Sequence, residues 1–309
     1  MQTILGANGI ISTELAKALT QYTTKIRLVS RNPHKVNNTD ELFAADLTNP
    51  QQTTDAVAGS EIVYLTAGLQ YNIKIWREQW PLIMRNVIDA CKKHKSKLVF
   101  FDNVYIYGKV DRWMTESTPA NPCSKKGEVR RVIAGMLMSE VKQGNLMAMI
   151  VRAADFYGPN TPLSFASVMI FNNLAKGKKA QWMINDSVKH SLTYTPDAGK
   201  ATALLGNTAD AYNQVWHLPT DKNALNGKEL ISLVAKEFGV EPKYMTLPRW
   251  MLQLVALFTP VVKESMEMLY QSESDYLFDS SKFDTAFTFS TTTYAQGIAE
   301  TVKVIKSLR

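Results

Sequence analysis

The regular alternation of short apolar runs with longer amphipathic ones in the first half of the chain constrains the fold most. Runs such as residues 26–30 and 62–66 are largely apolar, as strands covered on both faces of a sheet must be. Between the runs at residues 3–5 and 26–30, Ile11, Leu15 and Leu19 recur every four residues, which is typical of the buried face of a helix. The pattern predicts an α/β fold with a doubly wound parallel sheet. Strands are predicted at residues 3–5, 26–30, 43–47, 62–66, 98–101 and 146–151, and two later helices at residues 76–93 and 129–141.

A glycine-containing loop, Gly6-Ala7-Asn8-Gly9, lies between the first predicted strand and the first predicted helix. Glycines at these positions permit a tight turn and a close approach of the backbone to a pyrophosphate, which the amino terminus of the next helix attracts. Ser12 occupies the third small position of the pattern. The loop, with Ile10 and Ile11, is therefore expected to bind a dinucleotide as in Rossmann folds; the alternative is a plain strand-to-helix turn.

The end of the second predicted strand carries Ser30-Arg31, where an NAD site would place an acidic residue. A carboxylate would repel a 2′-phosphate, whereas serine and arginine can donate hydrogen bonds to it and supply positive charge. NADP(H) is therefore the preferred cofactor and NAD(H) the alternative, unless Arg31 is simply a surface cation. Asp46-Leu47 is expected at the adenine edge, and Thr66-Ala67-Gly68 is expected to pass close to the cofactor ribose.

The composition of the chain changes after Gly158-Pro159, where proline, tryptophan and methionine become frequent. The alternation of short apolar runs with longer amphipathic ones also stops there. We predict a dinucleotide-binding domain at residues 1–158 and a smaller, mixed C-terminal lobe at residues 159–309 that binds substrate. Residues 190–215 are expected to return to the sheet domain. The apolar bulk of the lobe is more typical of core than of a pocket.

Basic charge is the main feature of the composition, with 35 Lys and Arg against 28 Asp and Glu and a formal net charge of +7. The basic clusters at residues 92–97, 125–131 and 176–179 lack interleaved aromatic residues or a recognition motif, so no nucleic-acid partner is expected. An anionic cofactor or substrate would account for the middle cluster. No apolar run approaches the roughly 20 residues of a membrane span, so no membrane association is expected.

A few positions in the sequence bear on the cellular location of the protein and on metal binding. The first five residues lead directly into a turn, which leaves no room for a signal peptide, and two cysteines favour a reducing cytoplasm. His94, His190 and His217 are scattered without ligand spacing, so no metal site is expected. A cytoplasmic protein acting on a small molecule is the resulting expectation.

Further motifs follow the phosphate loop at residues 46–47 (Asp-Leu), 102–108 (Asp-Asn-Val-Tyr-Ile-Tyr-Gly), 115–116 (Thr-Glu) and 152–159 (Arg-Ala-Ala-Asp-Phe-Tyr-Gly-Pro). With them the chain resembles, over nearly its whole length, the extended short-chain dehydrogenase/reductase superfamily and its nucleotide-sugar epimerases and dehydratases. Residues 194–198 are similar to that family's His-Val-Asp-Asp-Val element near the substrate. The cofactor contacts expected from the loop and the resemblance are Gly6, Asn8, Gly9, Ile10, Ile11, Ser30, Arg31, Asp46, Leu47, Thr66, Ala67, Gly68, Lys126, Ala153 and Ala154.

All three catalytic positions that the resemblance implies are changed in this chain. The family places Ser or Thr five residues before the glycine of Val-Tyr-Gly, and a later helix carries Tyr-x-x-x-Lys; the matching residues here are Asn103, Lys126 and Arg130. In the family the tyrosine exchanges a proton while hydride moves, and the lysine holds the ribose. Arg130 could still hold ribose hydroxyls, and Asn103 could polarise a carbonyl through its amide N–H.

Lys126 is predicted to take over the proton role of the missing tyrosine. The Lys-x-x-x-Arg pattern is similar to the atypical, isoflavone-reductase-like branch, in which a lysine has that role. Tyr105 and Tyr107, on the adjacent strand end, are alternative proton donors, although packing would explain both. A plain surface lysine at position 126 is the remaining alternative.

The two later predicted helices correspond to those that pair into a four-helix dimer interface in the family. Trp80, Met84, Met136 and Met138 offer apolar surface for such a homodimer, although burial within the monomer explains them equally. The favoured function is an NADP(H)-dependent oxidoreductase of the atypical extended type that reduces a small carbonyl or activated double bond. The alternatives are an NAD-dependent nucleotide-sugar epimerase or dehydratase and a non-catalytic, NADP-sensing regulator or scaffold.

Overall fold

The computed structural model describes residues 1–308, and the chain divides into two compact units. The first unit comprises Met1–Ile106, Lys125–Arg152 and Ala198–Leu218, and the second comprises Tyr107–Ser124, Ala153–Asp197 and the chain from Pro219 onward. These boundaries differ from the predicted ones in three places. Residues 107–124 and residues 153–158 group with the second unit. The returning segment is Ala198–Leu218, because residues 189–194 form strands of the second unit.

Thirteen strands occur within residues 1–308. They are β1 Gln2–Leu5, β2 Ile26–Ser30, β3 Glu41–Ala44, β4 Ile62–Leu65, β5 Lys97–Asn103, β6 Ala148–Ala153, β7 Asp155–Tyr157, β8 Ala180–Met183, β9 Lys189–His190, β10 Leu192–Tyr194, β11 Val215–His217, β12 Leu225–Asn226 and β13 Tyr244–Leu247.

Eleven α-helices occur within the same residues. They are α1 Ile10–Leu19, α2 Pro50–Val57, α3 Ile73–His94, α4 Lys125–Lys142, α5 Asn172–Ala175, α6 Thr195–Gly206, α7 Gly227–Phe238, α8 Arg249–Phe258, α9 Pro260–Ser265, α10 Ser281–Ala286 and α11 Tyr294–Ser307. None of these helices has the length and apolar character that a membrane crossing requires.

The first unit is built on a seven-stranded sheet in the order β11-β6-β5-β4-β1-β2-β3. Its mapped strand pairs are parallel, and β1 lies between β2 and β4, so the order of the strands reverses beside β1. This arrangement confirms the predicted doubly wound parallel sheet. The seventh strand, β11, comes from the returning segment and was not predicted from the sequence.

The third strand differs from its prediction. It covers Glu41–Ala44 instead of residues 43–47, and most of its side chains are exposed. The reason is its position at the edge of the sheet, where one side of the strand has no partner to bury it. By contrast, β1 and β4 in the middle of the sheet are buried along their whole length, as expected for strands covered on both faces.

Helices α3 and α4 pack on each other in the first unit, and their large apolar side chains fill the interior. Trp80 is 1% exposed and Met84 is fully buried, so these two residues cannot supply the dimer surface that the sequence offered as one explanation. Burial within the monomer is the explanation that holds for them. The large apolar residues exposed on these helices are Leu82 at 41% and Val132 at 45%.

The second unit combines short two-stranded sheets with helices α7 and α11, which pack against each other. Much of the apolar bulk of this part of the chain forms core, as the composition indicated, although Trp250 is 59% exposed. Trp182, Tyr157 and Phe171 are buried in one cluster. The backbone of α7 passes directly over the indole of Trp182, where a Cβ on Gly227 would lie 2.6 Å from the ring.

Candidate active site

The phosphate loop follows β1 at the point where the carboxyl ends of β1 and β4 lie side by side. Ligands of open α/β sheets bind in the crevice at such a reversal of strand order. Gly6 has a φ of 101°, and a Cβ on it would lie 2.3 Å from Cα and 2.4 Å from the amide nitrogen of Ala67. Only glycine allows this approach, so the loop and the end of β4 form one continuous backbone surface.

Helix α1 starts directly after Gly9, whose backbone is extended with φ −75° and ψ 163°. The hydroxyl groups of Ser12 and Thr13 both donate to the carbonyl oxygen of Gly9, at 2.7 and 2.9 Å. Ile10 is half-buried and Ile11 is buried. The N–H groups of the first helical turn have no acceptor within the helix, which makes this end of α1 suited to an anion.

Asn8 joins the phosphate loop to the segment after β2. It has a φ of 74°, and its side-chain amide donates to the carbonyl oxygen of Asn32 at 2.6 Å and lies 3.4 Å from Oγ of Ser30. Its Oδ1 accepts the backbone N–H of His34 at 3.0 Å. The side chain of Asn8 therefore holds the segment that carries Arg31 in place beside the loop.

Arg31 and Asp46 follow neighbouring strands. Arg31 is exposed, and Asp46 is half-buried. The backbone N–H and the hydroxyl of Thr48 both donate to Oδ1 of Asp46, at 2.9 and 2.7 Å, and they hold the pKa of this carboxyl below its usual value, with a smaller contribution from the charge of Arg31. A cation and a carboxylate thus flank the end of the sheet where the adenosine part was predicted.

The other predicted contacts in this unit occupy the same edge of the sheet. The backbone N–H of Thr66 donates to the carbonyl of Leu5 at 2.9 Å, which keeps the end of β4 against β1. Gly68 is exposed, with open space where a Cβ would lie. Leu47 is 8% exposed, and its carbonyl accepts the side-chain amide of Asn86 at 2.9 Å.

Asn103 is the last residue of β5. Its Oδ1 accepts the backbone N–H of Tyr105 at 3.1 Å, which fixes the orientation of the amide and leaves its N–H group as the donor. Tyr105 lies in a 3₁₀ turn, Tyr105–Tyr107, and not on the strand end where the sequence placed it.

Lys126 lies in the first turn of α4 and is completely buried, so it is not the surface lysine of the alternative explanation. Its Nζ lies 4.4 Å from the centroid of the Tyr71 ring. The edge of Tyr71 packs on Trp76, with centroids 5.8 Å apart, and Trp76 stacks on Tyr105 at 6.4 Å. The aromatic face of Tyr71 therefore packs on Nζ of Lys126 and fixes the position of this amine.

Arg130, one turn further along α4, is part of a buried ion cluster. Its Nε and Nη2 both lie 2.6 Å from Oδ1 of Asp102, and Nε of Arg152 lies 3.1 Å from Oδ2. Asp102 is 1% exposed, Arg130 4% and Arg152 5%. The guanidinium of Arg130 also lies over the rings of Trp80 and Phe100, at 4.6 and 5.0 Å. These contacts direct its donors to Asp102, and a role in holding ribose stays a prediction.

Three of the predicted site residues belong to the second unit. Tyr107 is 2% exposed, Ala153 is fully buried and Ala154 is 4% exposed. The backbone N–H of Ala154 donates to the hydroxyl of Thr193 at 3.0 Å. These contacts build the second unit, and they leave the predicted roles of the three residues as predictions.

His190 pairs with Asp155 in the second unit, with Nε2 and Oδ2 2.9 Å apart. The ring of His190 lies 5.6 Å from that of Tyr276, whose pKa is raised mainly by burial. Asp155 belongs to the motif at residues 152–159. The sequence favoured a structural histidine with satisfied hydrogen bonds, and the hydrogen bond with Asp155 agrees with that interpretation. Within residues 1–308 no group of His, Cys, Asp and Glu side chains could hold a metal ion.

Sequence reasoning did not predict two features of this site, the contact of Tyr71 with Lys126 and the ion pairs of Asp102. Asp102 had a signal, because it is the one acid in the otherwise apolar stretch of β5 before Asn103, and a buried carboxylate requires a partner. Tyr71 had none, since its contact with Lys126 joins the segment just before α3 to the first turn of α4, 55 positions further along the chain.

Comparison with known proteins gives the family of the chain. The sequence model described as "NAD dependent epimerase/dehydratase family" matches residues 3–216. No curated protein shows significant sequence similarity to the chain.

Solved structures share its fold along the whole chain. UDP-glucose 4-epimerase of Thermus thermophilus, solved with NAD, is 17% identical, with a TM-score of 0.79 and 99% of each chain covered. UDP-glucuronic acid 4-epimerase of Bacillus cereus, solved with UDP-glucuronic acid and NAD, is 17% identical, with a TM-score of 0.82 and 100% of each chain covered. The double mutant of DesIV, a dTDP-glucose 4,6-dehydratase of Streptomyces venezuelae, is 14% identical, with a TM-score of 0.79 over 99% of this chain and 97% of that one.

Proposed function

Because the chain belongs to the NAD dependent epimerase/dehydratase family, we propose that it binds a nicotinamide dinucleotide and oxidises or reduces a carbinol or carbonyl of a small substrate. The observation that supports this proposal is that the first unit contains both the loop at Gly6, which lies against the end of β4, and the buried Lys126. The sequence resemblance implies dinucleotide binding at the first of these positions and proton exchange at the second.

The fit of a dinucleotide rests on Gly6. A Cβ at this position would collide with the backbone of Ala67, so the chain has kept the one residue that lets the loop lie flat against the end of β4. The N–H groups at the start of α1 and the exposed guanidinium of Arg31 would hold the phosphates of the dinucleotide. When bound, the dinucleotide supplies the hydride donor or acceptor.

Lys126 is proposed as the residue that exchanges the proton with the substrate oxygen. The contact with Tyr71 fixes the position of its Nζ, and a lysine amine can give a proton to a substrate oxygen or take one from it. Asn103 presents its amide N–H to the same oxygen in this proposal, because its Oδ1 is already bonded to the turn. Arg130 and Asp102 hold the helix that carries Lys126.

Nucleotide sugars are the substrate class that the similar structures favour. The Thermus and Bacillus enzymes are sugar-nucleotide epimerases by name and were solved with NAD. These similarities support the NAD-dependent epimerase or dehydratase hypothesis over the NADP(H)-dependent reductase that the sequence favoured first. We therefore place a nucleotide sugar with NAD(H) first among the candidates.

An NADP(H)-dependent reductase is the second candidate, and one observation favours it. No acidic residue ends β2, where Ser30 and the exposed Arg31 stand instead. A regulator that binds the dinucleotide without chemistry is the third candidate, and the absence of turnover would distinguish it.

The test combines calorimetric titration with turnover. Wild-type protein is titrated with NAD(H) and NADP(H), and then assayed with UDP-sugars and with simple carbonyl compounds. Lys126→Ala is expected to retain dinucleotide affinity and to lose turnover by about 10²–10⁴-fold, which is typical for loss of an acid–base group. Lys125→Ala is the matched control, since Lys125 is the exposed neighbour on the same helix.

Each outcome separates the candidates. Turnover of UDP-sugars with NAD supports the first, and turnover of simple carbonyls with a preference for NADPH supports the second. Full turnover in Lys126→Ala would show that another group exchanges the proton. If neither dinucleotide binds to the wild-type protein, both enzymatic candidates are wrong.

A further inference from the structure

One side chain holds the segment that follows β2, residues 31–35, against the phosphate loop. This segment has no regular secondary structure. Nδ2 of Asn8 donates to the carbonyl oxygen of Asn32 at 2.6 Å, and Oδ1 of Asn8 accepts the backbone N–H of His34 at 3.0 Å. Within residues 1–308 these are the hydrogen bonds that fix the backbone of residues 32–34, so the position of the segment depends on Asn8.

The backbone of the loop brings Asn8 to this position. Asn8 has a left-handed conformation with a φ of 74°, which asparagine tolerates better than most residues. The N–H groups of the two preceding residues, Gly6 and Ala7, both donate to the carbonyl oxygen of Val29 at 2.9 Å. Backbone bonds therefore attach the loop to β2 as far as Val29, and the side chain of Asn8 extends the attachment to residues 32–34.

The segment that Asn8 holds is basic. Residues 31–39 contain one arginine, one histidine and one lysine and no acid. Nζ of Lys35 donates to the carbonyl oxygen of Asn38 at 2.9 Å, whereas Arg31 is exposed. The next acid along the chain, Asp40, is 3% exposed and accepts two backbone N–H groups of its own turn. Arg31 is therefore a cation that the segment presents to solvent beside the loop.

Arg31 retains donors for an anion although the carboxylate of Asp46 acts on it. The charge of Arg31 makes a small contribution to the lowered pKa of Asp46, so the two groups interact across the end of the sheet. Oδ1 of Asp46 accepts the backbone N–H and the hydroxyl of Thr48, at 2.9 and 2.7 Å. A guanidinium has five N–H donors in a planar arrangement that matches the oxygens of a phosphate. Arg31 can thus interact with Asp46 and also bind a phosphate.

We propose that Asn8 is a positioning residue for Arg31, and that Arg31 held in this way binds a phosphate on the adenosine ribose of the dinucleotide. The inference rests on the proposed dinucleotide binding at the loop, and it adds that the site admits NADP(H) as well as NAD(H). An arginine on a loose segment loses conformational entropy when it binds an anion, whereas a segment that is already fixed loses less. Asn8 therefore strengthens the binding of the ribose phosphate through the position of Arg31.

The test is calorimetric titration of wild type, Asn8→Gly, Arg31→Ala and the double variant with NADP(H) and NAD(H). Glycine accepts the φ of 74°, so Asn8→Gly removes the side-chain bonds without straining the loop. NADP(H) affinity should fall by about 10–100-fold in Arg31→Ala, as for loss of a charge-assisted hydrogen bond. In Asn8→Gly it should fall by about 3–10-fold, the effect of having to order a released side chain.

Two further expectations separate positioning from a general loosening of the loop. The affinity for NAD(H), which has no ribose phosphate, should stay within about a factor of two in all three variants. The double variant should bind NADP(H) as Arg31→Ala does, because Asn8 acts through Arg31 and the two effects are not additive. Thr20→Ala is the control, since it removes a hydroxyl bonded to the carbonyl of Lys17 at the far end of α1 and should keep both affinities. Far-UV circular dichroism verifies that each variant folds.

Three results would overturn the inference and leave the proposed function standing. Wild-type protein that binds NAD(H) and not NADP(H) would show that Arg31 receives no ribose phosphate. An equal loss of both dinucleotides in Asn8→Gly would show that the whole loop has loosened. Additive losses of NADP(H) affinity in the double variant would show that Asn8 acts independently of Arg31. Wild-type protein that binds neither dinucleotide would refute the proposed function, and the inference with it.

Discussion

The phosphate loop and the first turns of α4 differ in how far their residues agree with the pattern that the sequence resemblance implies. At the loop, Gly6 is at a position where the sequence resemblance implies glycine, and its backbone lies against Ala67. On α4, Lys126 and Arg130 stand at the positions where the resemblance implies tyrosine and lysine. The proposed binding site therefore agrees with the resemblance, and the proposed catalytic site departs from it.

The comparison teaches that binding and chemistry depend on different kinds of groups. A phosphate loop binds through backbone N–H groups and a helix end, so most of its side chains can vary once glycine is kept. Acid–base chemistry depends on particular side chains, and a buried replacement needs its own partners. In this chain Lys126 contacts Tyr71, and Arg130 pairs with Asp102.

Gly6→Val tests the loop side of this comparison and should have the largest effect. The new Cβ would lie 2.3 Å from a backbone atom of Ala67, at a φ of 101° that valine does not adopt. We expect a loss of at least ~4 kcal/mol in the free energy of unfolding and no measurable dinucleotide binding. Urea denaturation and calorimetric titration measure the two effects. In the control, Gly68→Ala adds a Cβ in open space and should change stability by less than ~0.5 kcal/mol. Native affinity in Gly6→Val would refute the assignment of the loop.

Asp102→Asn tests the α4 side. The variant leaves the buried Arg130 and Arg152 without their shared carboxylate, which should cost about 3–5 kcal/mol in the free energy of unfolding. Glu128→Gln is the control on the same helix, because it removes the partner of the half-exposed Arg131 and should cost below ~1 kcal/mol. Equal effects in urea denaturation would mean that the buried cluster adds nothing over an exposed pair.

Most of the first unit could be predicted from the sequence, because buried parallel strands and amphipathic helices have distinct periods. The strand ends shifted by a few residues, and β3 was placed too late since an edge strand lacks the continuous apolar run of β1 or β4. The returning segment was shifted because the two short strands at residues 189–194 resemble sheet strands in sequence, yet pair within the second unit.

The site was harder to predict than the fold. Gly6 and Lys126 could be proposed as site residues because a local motif marks each of them, and their roles stay predictions. The burial of Trp80 and the contact of Lys126 with Tyr71 depend on how α3 and α4 pack, and helix packing leaves no trace in residue spacing. The apolar outer face of α8 was visible as a run of apolar residues, but its exposure required the structure.

Tyr71→Leu sharpens the comparison on α4 with a smaller effect. Removing the ring takes away its contact with Nζ of Lys126, which is worth about 1–2 kcal/mol at a buried site. The side chain of Lys126 can then move away from its present position. We expect turnover to fall while dinucleotide affinity stays within a factor of two or so, because the loop is untouched. Tyr71→Phe keeps the ring and should behave as wild type. If both variants lose turnover alike, the tyrosine hydroxyl is what matters.

Asp46 provides the smallest effect and tests the loop side of the sheet through pH. Hydrogen bonds from the backbone N–H and the hydroxyl of Thr48 lower the pKa of Asp46 in the folded chain relative to the usual value of about 3.9. Since the folded pKa is the lower one, the carboxylate stabilises the fold at pH values above about 4, and this contribution is lost as the pH falls through the folded pKa.

Thr48→Val removes the hydroxyl donor and leaves the backbone donor of Asp46 in place. The pKa of Asp46 should therefore rise part of the way toward its usual value, and the stability at pH 7 should fall by less than ~1 kcal/mol because the carboxylate is partly exposed. A carbon-detected NMR titration of the Asp46 carboxyl measures the midpoint in both proteins. Thr54→Val, which removes a hydroxyl bonded to a carbonyl on α2, should leave that midpoint unchanged. An unchanged midpoint in Thr48→Val would show that the backbone N–H alone holds the carboxylate, and that the turn after β3 is set by main-chain contacts in the same way as the phosphate loop.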